Sequence, residues 1–576
     1  MYSNLKNVQL LVAMLKEKNI KNIVISPGNS HNAIVRSIEE DGFFKTYNIV
    51  DERSAAFFAC GLIQELKKPV AICCTAGTAA TNYLTGVTEA FRRNLPLVVI
   101  TGDKNPYYLA QQEDQMINQI DIFNTIVKSN ISLPLIKDTK DEWYCQRILN
   151  EAFLELNHHG TGPIHINVPI EGGMLAIGKD FTVNELPKIN VIERIDRLTE
   201  KEKIKSKFEY LKNKKVLLIY GQDNDISEDK IKNVEKIFAN YNIAIAVDKL
   251  SNLHCKGTIE LSKLTLSLKV NHKFYEILPD VVITVAGNVA WDGKFTLKGY
   301  SNNFEHWIVN EDGKVQDYYK NLTTIFEFNT NEFLHIMSEY NVDSSDNYYK
   351  NLKQRNSEVK IPEFEYSNLY ATQKLMNKIP KNSILNLGNS TTIRLAQYFD
   401  LDSSIQVYCN RGVNGIDGCM STYIGQTAVT DKLSFLIIGD LTFFYDMNAL
   451  WNRYVGKNVR IMLINNSGAA LFHFNQGLKK FPTLNENVAA EHNAIAKGWA
   501  ESLNIKYLSS KNREEFDNNL EIFLDKKIDK PIIFEVFTKK EDDARMQHEF
   551  YDSYLDETGK MKKNIKNIIK KAIGRE

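Results

Sequence analysis

Short apolar runs alternate with amphipathic stretches along the whole chain. In the first third, NIVISPG, TYNIVDE, PVAICCTAGT and PLVVITGD read as buried strands ending in turns, spaced roughly 20–30 residues apart. PIHINVP (163–169) reads as the closing strand of this unit. KVLLIYG, IAIAVD, VVITVAGN and HWIVNED repeat the rhythm in the middle third. SILNLGNS, QVYCNRG, FLIIGD, RIMLINN and PIIFEVFT repeat it in the last. Strands that are apolar on both faces, separated by helical stretches, predict parallel sheets covered by helices. Polar stretches near 180–210 and at 343–368 mark two boundaries. The expectation is an α/β protein of three Rossmann-like domains, 1–185, 186–355 and 356–576.

Composition narrows the function. With 576 residues, the length prior of ~150 residues per domain gives three to four domains. Hydrophobic residues make up 43% and charged residues 25%, an ordinary globular mix that needs no disulfide or metal staple. Lys and Arg (71) balance Asp and Glu (71), which excludes nucleic-acid binding by bulk charge. No run approaches the ~20 apolar residues of a membrane span. The N-terminal apolar stretch is cut by Lys16, Glu17 and Lys18, so it reads as an amphipathic helix and not as a signal peptide. Seven scattered cysteines without a CxxC pair, two of them (Cys73, Cys74) inside an apolar run, are reduced thiols in a cytoplasmic protein.

Candidate chemistry concentrates where strands end. GNVAWDGKF (287–295) resembles a P-loop only superficially, because its glycine spacing is wrong and Phe295 stands where Ser or Thr is needed. The last third is more specific. One strand ends at Gly439-Asp440, a helix with Met447, Leu450 and Trp451 follows, and the next strand ends at Asn465-Asn466. Asp440 offers a hard anionic oxygen and Asn466 a neutral carbonyl oxygen. The Ser467-Gly468 turn can aim a backbone carbonyl at the same ion, an oxygen set that Mg²⁺ prefers. Amides after Gly439, at a helix N-terminus, suit a diphosphate. These residues resemble the GDG-x-NN thiamin diphosphate motif, with Leu441 in the third position.

Such a site needs a carboxylate against the aminopyrimidine ring, sharing the proton that activates the thiazolium carbon. Glu52, after the strand in IVDERSAAFFACG, resembles that glutamate; the plain alternative is a first-turn glutamate favoured by the helix dipole. ISPG, VDERSAAFFACG, CTAGTAATNY, LPLVVITGD, LGNSTTIR, NRGVNGIDG and INNSGAALF together resemble the 2-succinyl-5-enolpyruvyl-6-hydroxy-3-cyclohexene-1-carboxylate synthases of menaquinone biosynthesis. The resemblance implies thiamin diphosphate and Mg²⁺ as cofactors, with Gly77, Thr78, Ile416, Gly439, Asp440, Leu441, Asn466 and Gly468 around them.

It also implies decarboxylation of 2-oxoglutarate and transfer of the acyl anion to an acceptor, isochorismate in the family. Ser390, Arg394 and Arg411 would bind the donor, since arginine gives bidentate, always-charged carboxylate recognition. On the acceptor side Gln115 and Lys294 match. SPGNSH (26–31) instead places Ser30 where the family has Arg, and Lys104 and Phe295 replace two further arginines. The expectation is an altered acceptor pocket and an unidentified acceptor, with His31 as a catalytic proton donor or hydrogen-bond donor; the alternative is a solvent-facing histidine at a helix start. A simple 2-oxo acid decarboxylase releasing an aldehyde and a non-catalytic homologue are the other readings. The family builds its sites between subunits, implying a homodimer or homotetramer. The basic tail 558–576, with Ile565, Ile568, Ile569 and Ala572 at helical spacing, reads as a terminal helix on its own domain or a frayed tail, in preference to a helix lying on a membrane surface.

Overall fold

The alternating runs are parallel strands. The structure, a computed structural model, describes residues 1–171, 179–241, 243–342, 347–412, 414–475, 477–561 and 563. The predicted tail residues Ile565 to Ala572 lie outside the described residues, as do residues 343–346 of the second polar boundary. Among the described residues no helix is long and apolar enough to cross a membrane. The chain forms two compact units, Met1–Arg197 with Asp312–Glu327, and Leu198–Glu311 with Phe328–Glu576.

In the first unit a six-stranded parallel sheet runs in the order Lys45–Asn48, Asn22–Ile25, Val70–Cys74, Leu97–Asp103, Ile164–Pro169, Ser129–Ser132. Successive side chains of a strand point to opposite faces, so one strand feeds two cores. Ala71 and Cys73 pack with Val8, Leu11 and Ile34 on one side. Val70, Ile72 and Cys74 pack with Ala56, Ala59 and Tyr83 on the other. The amphipathic N-terminal stretch is the helix Lys6–Glu17, its apolar face in the first of these cores. PIHINVP lies inside the sheet; the edge is Ser129–Ser132, whose sequence SNIS is too short and polar to read as a strand.

The second unit contains parallel strands in the order Thr258–Glu260, Ala244–Val247, Val216–Tyr220, Val281–Val285, Glu305–Val309. It also holds a six-stranded parallel sheet, Gln406–Tyr408, Ile384–Leu387, Ser434–Gly439, Val459–Asn465, Ile532–Phe537, Lys506–Ser510. Here too Phe435 and Ile437 face one core while Leu436 and Ile438 face another. The stretch near 180–210, read as a linker, contains two short strands. Phe181–Val183 pairs antiparallel with Tyr2–Ser3, and Glu193–Ile195 pairs parallel with Leu322–Phe326.

Strand order locates the sites. In the last sheet the chain leaves Ile384–Leu387 for the edge strand Gln406–Tyr408, then crosses back to Ser434–Gly439 on the other side. That reversal opens a crevice between the carboxyl ends of Ile384–Leu387 and Ser434–Gly439, where doubly wound sheets bind ligands. The first unit reverses likewise between Asn22–Ile25 and Val70–Cys74. The loops at these two points are Gly388-Asn389-Ser390 with Gly439-Asp440, and SPGNSH with TAGT.

Candidate cofactor and active site

In the second unit the helix after Ser434–Gly439 starts at Asp440 itself and ends at Tyr445. Met447–Leu450 is a separate 3₁₀ turn, and Trp451 is 70% exposed, so the single helix predicted here is two short pieces. Asp440 is buried at the helix N-terminus. Its Oδ1 accepts from Leu441 N at 2.7 Å, and its Oδ2 from Asn466 N at 3.1 Å and Gly468 N at 2.9 Å. The loop after Asn465 is thereby tied to the carboxylate. Gly468 has φ +136°, and a Cβ there would meet Ala489 O at 2.7 Å, so only glycine closes this turn.

A cavity of about 210 Å³ opens beside them, lined among others by Asn389, Ser390, Ile416, Leu441, Asn466 and Phe472. A Cβ on Gly439 would have nothing within 4 Å, so this glycine borders open space. Carboxylate, carboxamide and carbonyl oxygens beside open space at a helix start fit a divalent metal with a diphosphate.

Behind this wall stand residues that the sequence did not single out. Asn466 Nδ2 donates to Asp543 Oδ2 at 2.8 Å. Burial pushes the Asp543 carboxyl up to about 6, against the hydrogen bonds from Asn368, Asn466 and Thr538 that hold it down. His492 Nε2 lies 3.3 Å from Asp440 Oδ2. Ala494 N donates to His492 Nδ1 at 3.1 Å, which puts the neutral ring's proton on Nε2, facing Asp440. Asn389 Nδ2 donates to the carbonyls of Asn410 and Gly415, 2.7 Å each, and its Oδ1 accepts from Arg411 Nη1 at 3.1 Å. Only neighbouring Ser390, at φ +73°, carried a motif. Asp543 sits in a run of charges that reads as a solvated helix start, so sequence offered no signal for it.

Three cations gather near Asn389. Burial lowers the Arg411 pKa, and the Arg394 charge lowers it further. Burial also lowers Lys294, with Arg411 adding to the effect. Lys294 Nζ donates to Asn288 Oδ1 at 2.6 Å, and Asn288 Nδ2 donates to Arg411 O at 3.0 Å. Arg394 is exposed on the helix Thr391–Ala396. Clustered, partly desolvated cations favour an anionic ligand.

In the first unit Glu52 opens the helix Glu52–Leu66, with Asp51 capping Ser54 N at 3.2 Å. Asn82 Nδ2 donates to Glu52 Oε2 at 3.1 Å. Gly77 (φ +82°) caps Thr78–Asn82, and its N–H donates to Gln119 Oε1 at 2.5 Å. Buried Gln119, also unsignalled in sequence, donates in turn to Gly102 O and Asn167 Oδ1. Thr78 and Gln115 are exposed, and a Cβ on Gly77 would meet Gln115 O at 2.8 Å. Lys104 Nζ is held by Glu113 at 2.7 Å and by the Asp114 carbonyl at 2.5 Å. Ser30 N donates to Thr75 Oγ1 at 2.9 Å, joining the two crevice loops.

His31 is 0% exposed, so the solvent-facing alternative fails. Neither ring nitrogen has a partner at full hydrogen-bond geometry. Burial pushes its pKa down to about 4, against a weaker opposing pull from the Ser26 backbone. At neutral pH it is an uncharged imidazole. A proton donor charged at neutral pH is therefore not what the fold builds here.

The thiamine pyrophosphate enzyme N-terminal TPP binding domain matches residues 5–122. Fold, cavity and this match define a thiamin diphosphate-dependent enzyme, of the decarboxylase and carboligase class, with thiamin diphosphate and a divalent metal as its cofactors. The 2-succinyl-5-enolpyruvyl-6-hydroxy-3-cyclohexene-1-carboxylate synthase of Phocaeicola vulgatus is 37% identical over 559 residues, covering 96% of this chain and 99% of that protein. The protein of the same name from Bacteroides thetaiotaomicron is 37% identical over 558 residues, with 96% and 99% covered. That from Flavobacterium johnsoniae is 29% identical over 550 residues, with 93% and 97% covered. The chain belongs to this synthase family.

Proposed function

We propose that the protein decarboxylates 2-oxoglutarate and joins the resulting four-carbon unit to isochorismate, forming the product for which its relatives are named. Thiamin diphosphate, when bound, supplies the carbon that attacks a 2-oxo acid and the sink for its electrons. Asp440 and Asn466 side-chain oxygens and the Gly468 carbonyl would hold Mg²⁺. Ile416, Gly439 and Leu441 line the cavity and would bear on the cofactor, with Gly77 and Thr78 completing its surroundings. Glu52 holds a proton against the aminopyrimidine ring, oriented by Asn82. Ser390, Arg394 and Arg411 bind the donor. Ser30, Lys104 and Gln115 of the first unit, and Lys294 of the second, would recognise the acceptor, with His31 an uncharged, buried imidazole next to Ser30. Of the three arginines this acceptor set replaces, only one becomes a cation, Lys104, a point charge in place of a planar fork, while Ser30 and Phe295 carry none.

The observation carrying the donor assignment is the hydrogen bond from Arg411 to Asn389, because Asn389 lines the same cavity as Asp440 and Asn466. A permanent cation at that wall suits the distal carboxylate of a dicarboxylic 2-oxo acid. Steady-state kinetics of Arg411→Met with 2-oxoglutarate and with pyruvate tests it. The expected result is a loss of tenfold or more in kcat/KM for 2-oxoglutarate, in line with ~2 kcal/mol or more for a desolvated charge pair, with pyruvate unaffected. Equal losses on both acids would overturn the assignment. We also propose a homodimeric unit in which Glu52 of one subunit serves the cofactor held by its partner.

A further inference from the structure

The carboxamide of Asn466 can serve a metal only through its oxygen, and a carboxamide can turn either end toward any partner. The fold contains a group that removes this ambiguity. Asp543, on the helix Lys540–Asp552, is 0% exposed. Its Oδ1 accepts from Asn368 N at 2.9 Å. Its Oδ2 accepts from Asn466 Nδ2 at 2.8 Å and Thr538 Oγ1 at 2.7 Å. The Asn368 N–H can only donate, which fixes Oδ1 as an acceptor, and a carboxylate that accepts at both oxygens has only acceptors to offer. In this arrangement the end of Asn466 facing Asp543 is its NH₂ group, and the other end is its oxygen. Asn466 N is meanwhile tied to Asp440 Oδ2, so the backbone of the residue is fixed from the metal side.

We infer that Asp543 is a positioning residue that sets the polarity of Asn466, so that the Asn466 carboxamide presents oxygen, not nitrogen, to the metal. This rests on the reading of Asn466 as a metal ligand. Outer groups that orient a ligand typically change metal affinity by about 10- to 100-fold when replaced. Asp543→Asn keeps size and shape but turns one acceptor end into a donor. If that donor faces Asn368 N, two N–H groups oppose each other. If it faces Asn466, the Asn466 amide turns over and points its NH₂ group at the metal. Exchanging the two residue types restores the pattern. The new carboxamide on the helix would then donate to the new carboxylate in the loop, and a carboxylate oxygen would face the metal.

The test is a four-protein cycle comprising wild type, Asp543→Asn, Asn466→Asp and the double exchange. Mg²⁺ binding is measured by calorimetry with thiamin diphosphate present, alongside the half-saturating Mg²⁺ concentration and kcat at saturating Mg²⁺. Asp543→Asn is expected to weaken Mg²⁺ binding about 10-fold or more, raising half-saturation far more than it lowers kcat. Asn466→Asp, which sets two carboxylates against each other, weakens it too. The double exchange recovers affinity to within a few-fold of wild type. Should Asp543→Asn fail to fold, the double exchange compared with Asn466→Asp still decides. Unchanged Mg²⁺ affinity in Asp543→Asn, or a double variant that binds no better than Asn466→Asp, would overturn the inference. Asn466→Ala separates this from the underlying reading: if it leaves Mg²⁺ binding unchanged, Asn466 is not a ligand at all.

Discussion

Single side chains carry the most specific chemistry, and most of those with a motif were legible. Asp440, Asn466 and Gly468 stand out by spacing at two strand ends, and the fold ties them together through the Asp440 carboxylate. Their supports do not stand out. Asp543 lies 77 residues beyond Asn466, and nothing local marks a buried carboxylate in a charged run. Glu52→Gln is expected to lower turnover ~10²-fold or more, the ordinary contribution of a positioned proton-transfer group, while leaving the melting temperature unchanged; undiminished turnover would remove Glu52 from the mechanism. His31 makes stability depend on pH. Its folded pKa of about 4 lies below the ordinary 6.5, so the unfolded chain binds the extra proton. That contribution is complete above 6.5 and is lost as pH falls toward 4. Relative to His31→Gln, the wild type should lose about 2 kcal/mol between pH 7 and pH 5. Urea unfolding at the two pH values checks this, and a pH-independent difference would contradict it.

At the scale of elements, the strands buried on both faces were readable because nothing polar interrupts them, as in Val70–Cys74 and Ser434–Gly439. Several edge strands were not, although the edges Lys45–Asn48 and Gln406–Tyr408 were. SNIS, KYLSS and ERI are short, carry polar side chains, and were silent in the pattern. Order within each sheet was also invisible, although it is strand order that places the crevices. One strand carries an unusual load. Arg460, fully buried in Val459–Asn465, donates to the carbonyls of Phe523, Lys457, Val459, Lys530 and Asp525. It thereby ties the strand to the chain around Lys530. Arg460→Met leaves buried carbonyls without donors and is expected to cost ~3 kcal/mol or more in chemical denaturation. A change below about 1 kcal/mol would show that water reaches those carbonyls.

At the scale of the whole molecule, each of the two compact units contains its own strand-order reversal. Glu52 belongs to the first, and Asp440 and Asn466 to the second. If sites are shared between subunits, mixing inactive Glu52→Gln and Asp440→Ala chains creates one intact site in each mixed dimer. Co-expression should then restore about a quarter of wild-type activity, as random pairing in a twofold dimer requires. No recovery would place each whole site within one chain. The central claim is a dicarboxylate donor joined to a cyclic acceptor, and carbon dioxide release tests it most directly. With thiamin diphosphate and Mg²⁺, release from 2-oxoglutarate but not from pyruvate, accelerated by isochorismate, is the predicted result. Release indifferent to isochorismate, or equal from both acids, would contradict it.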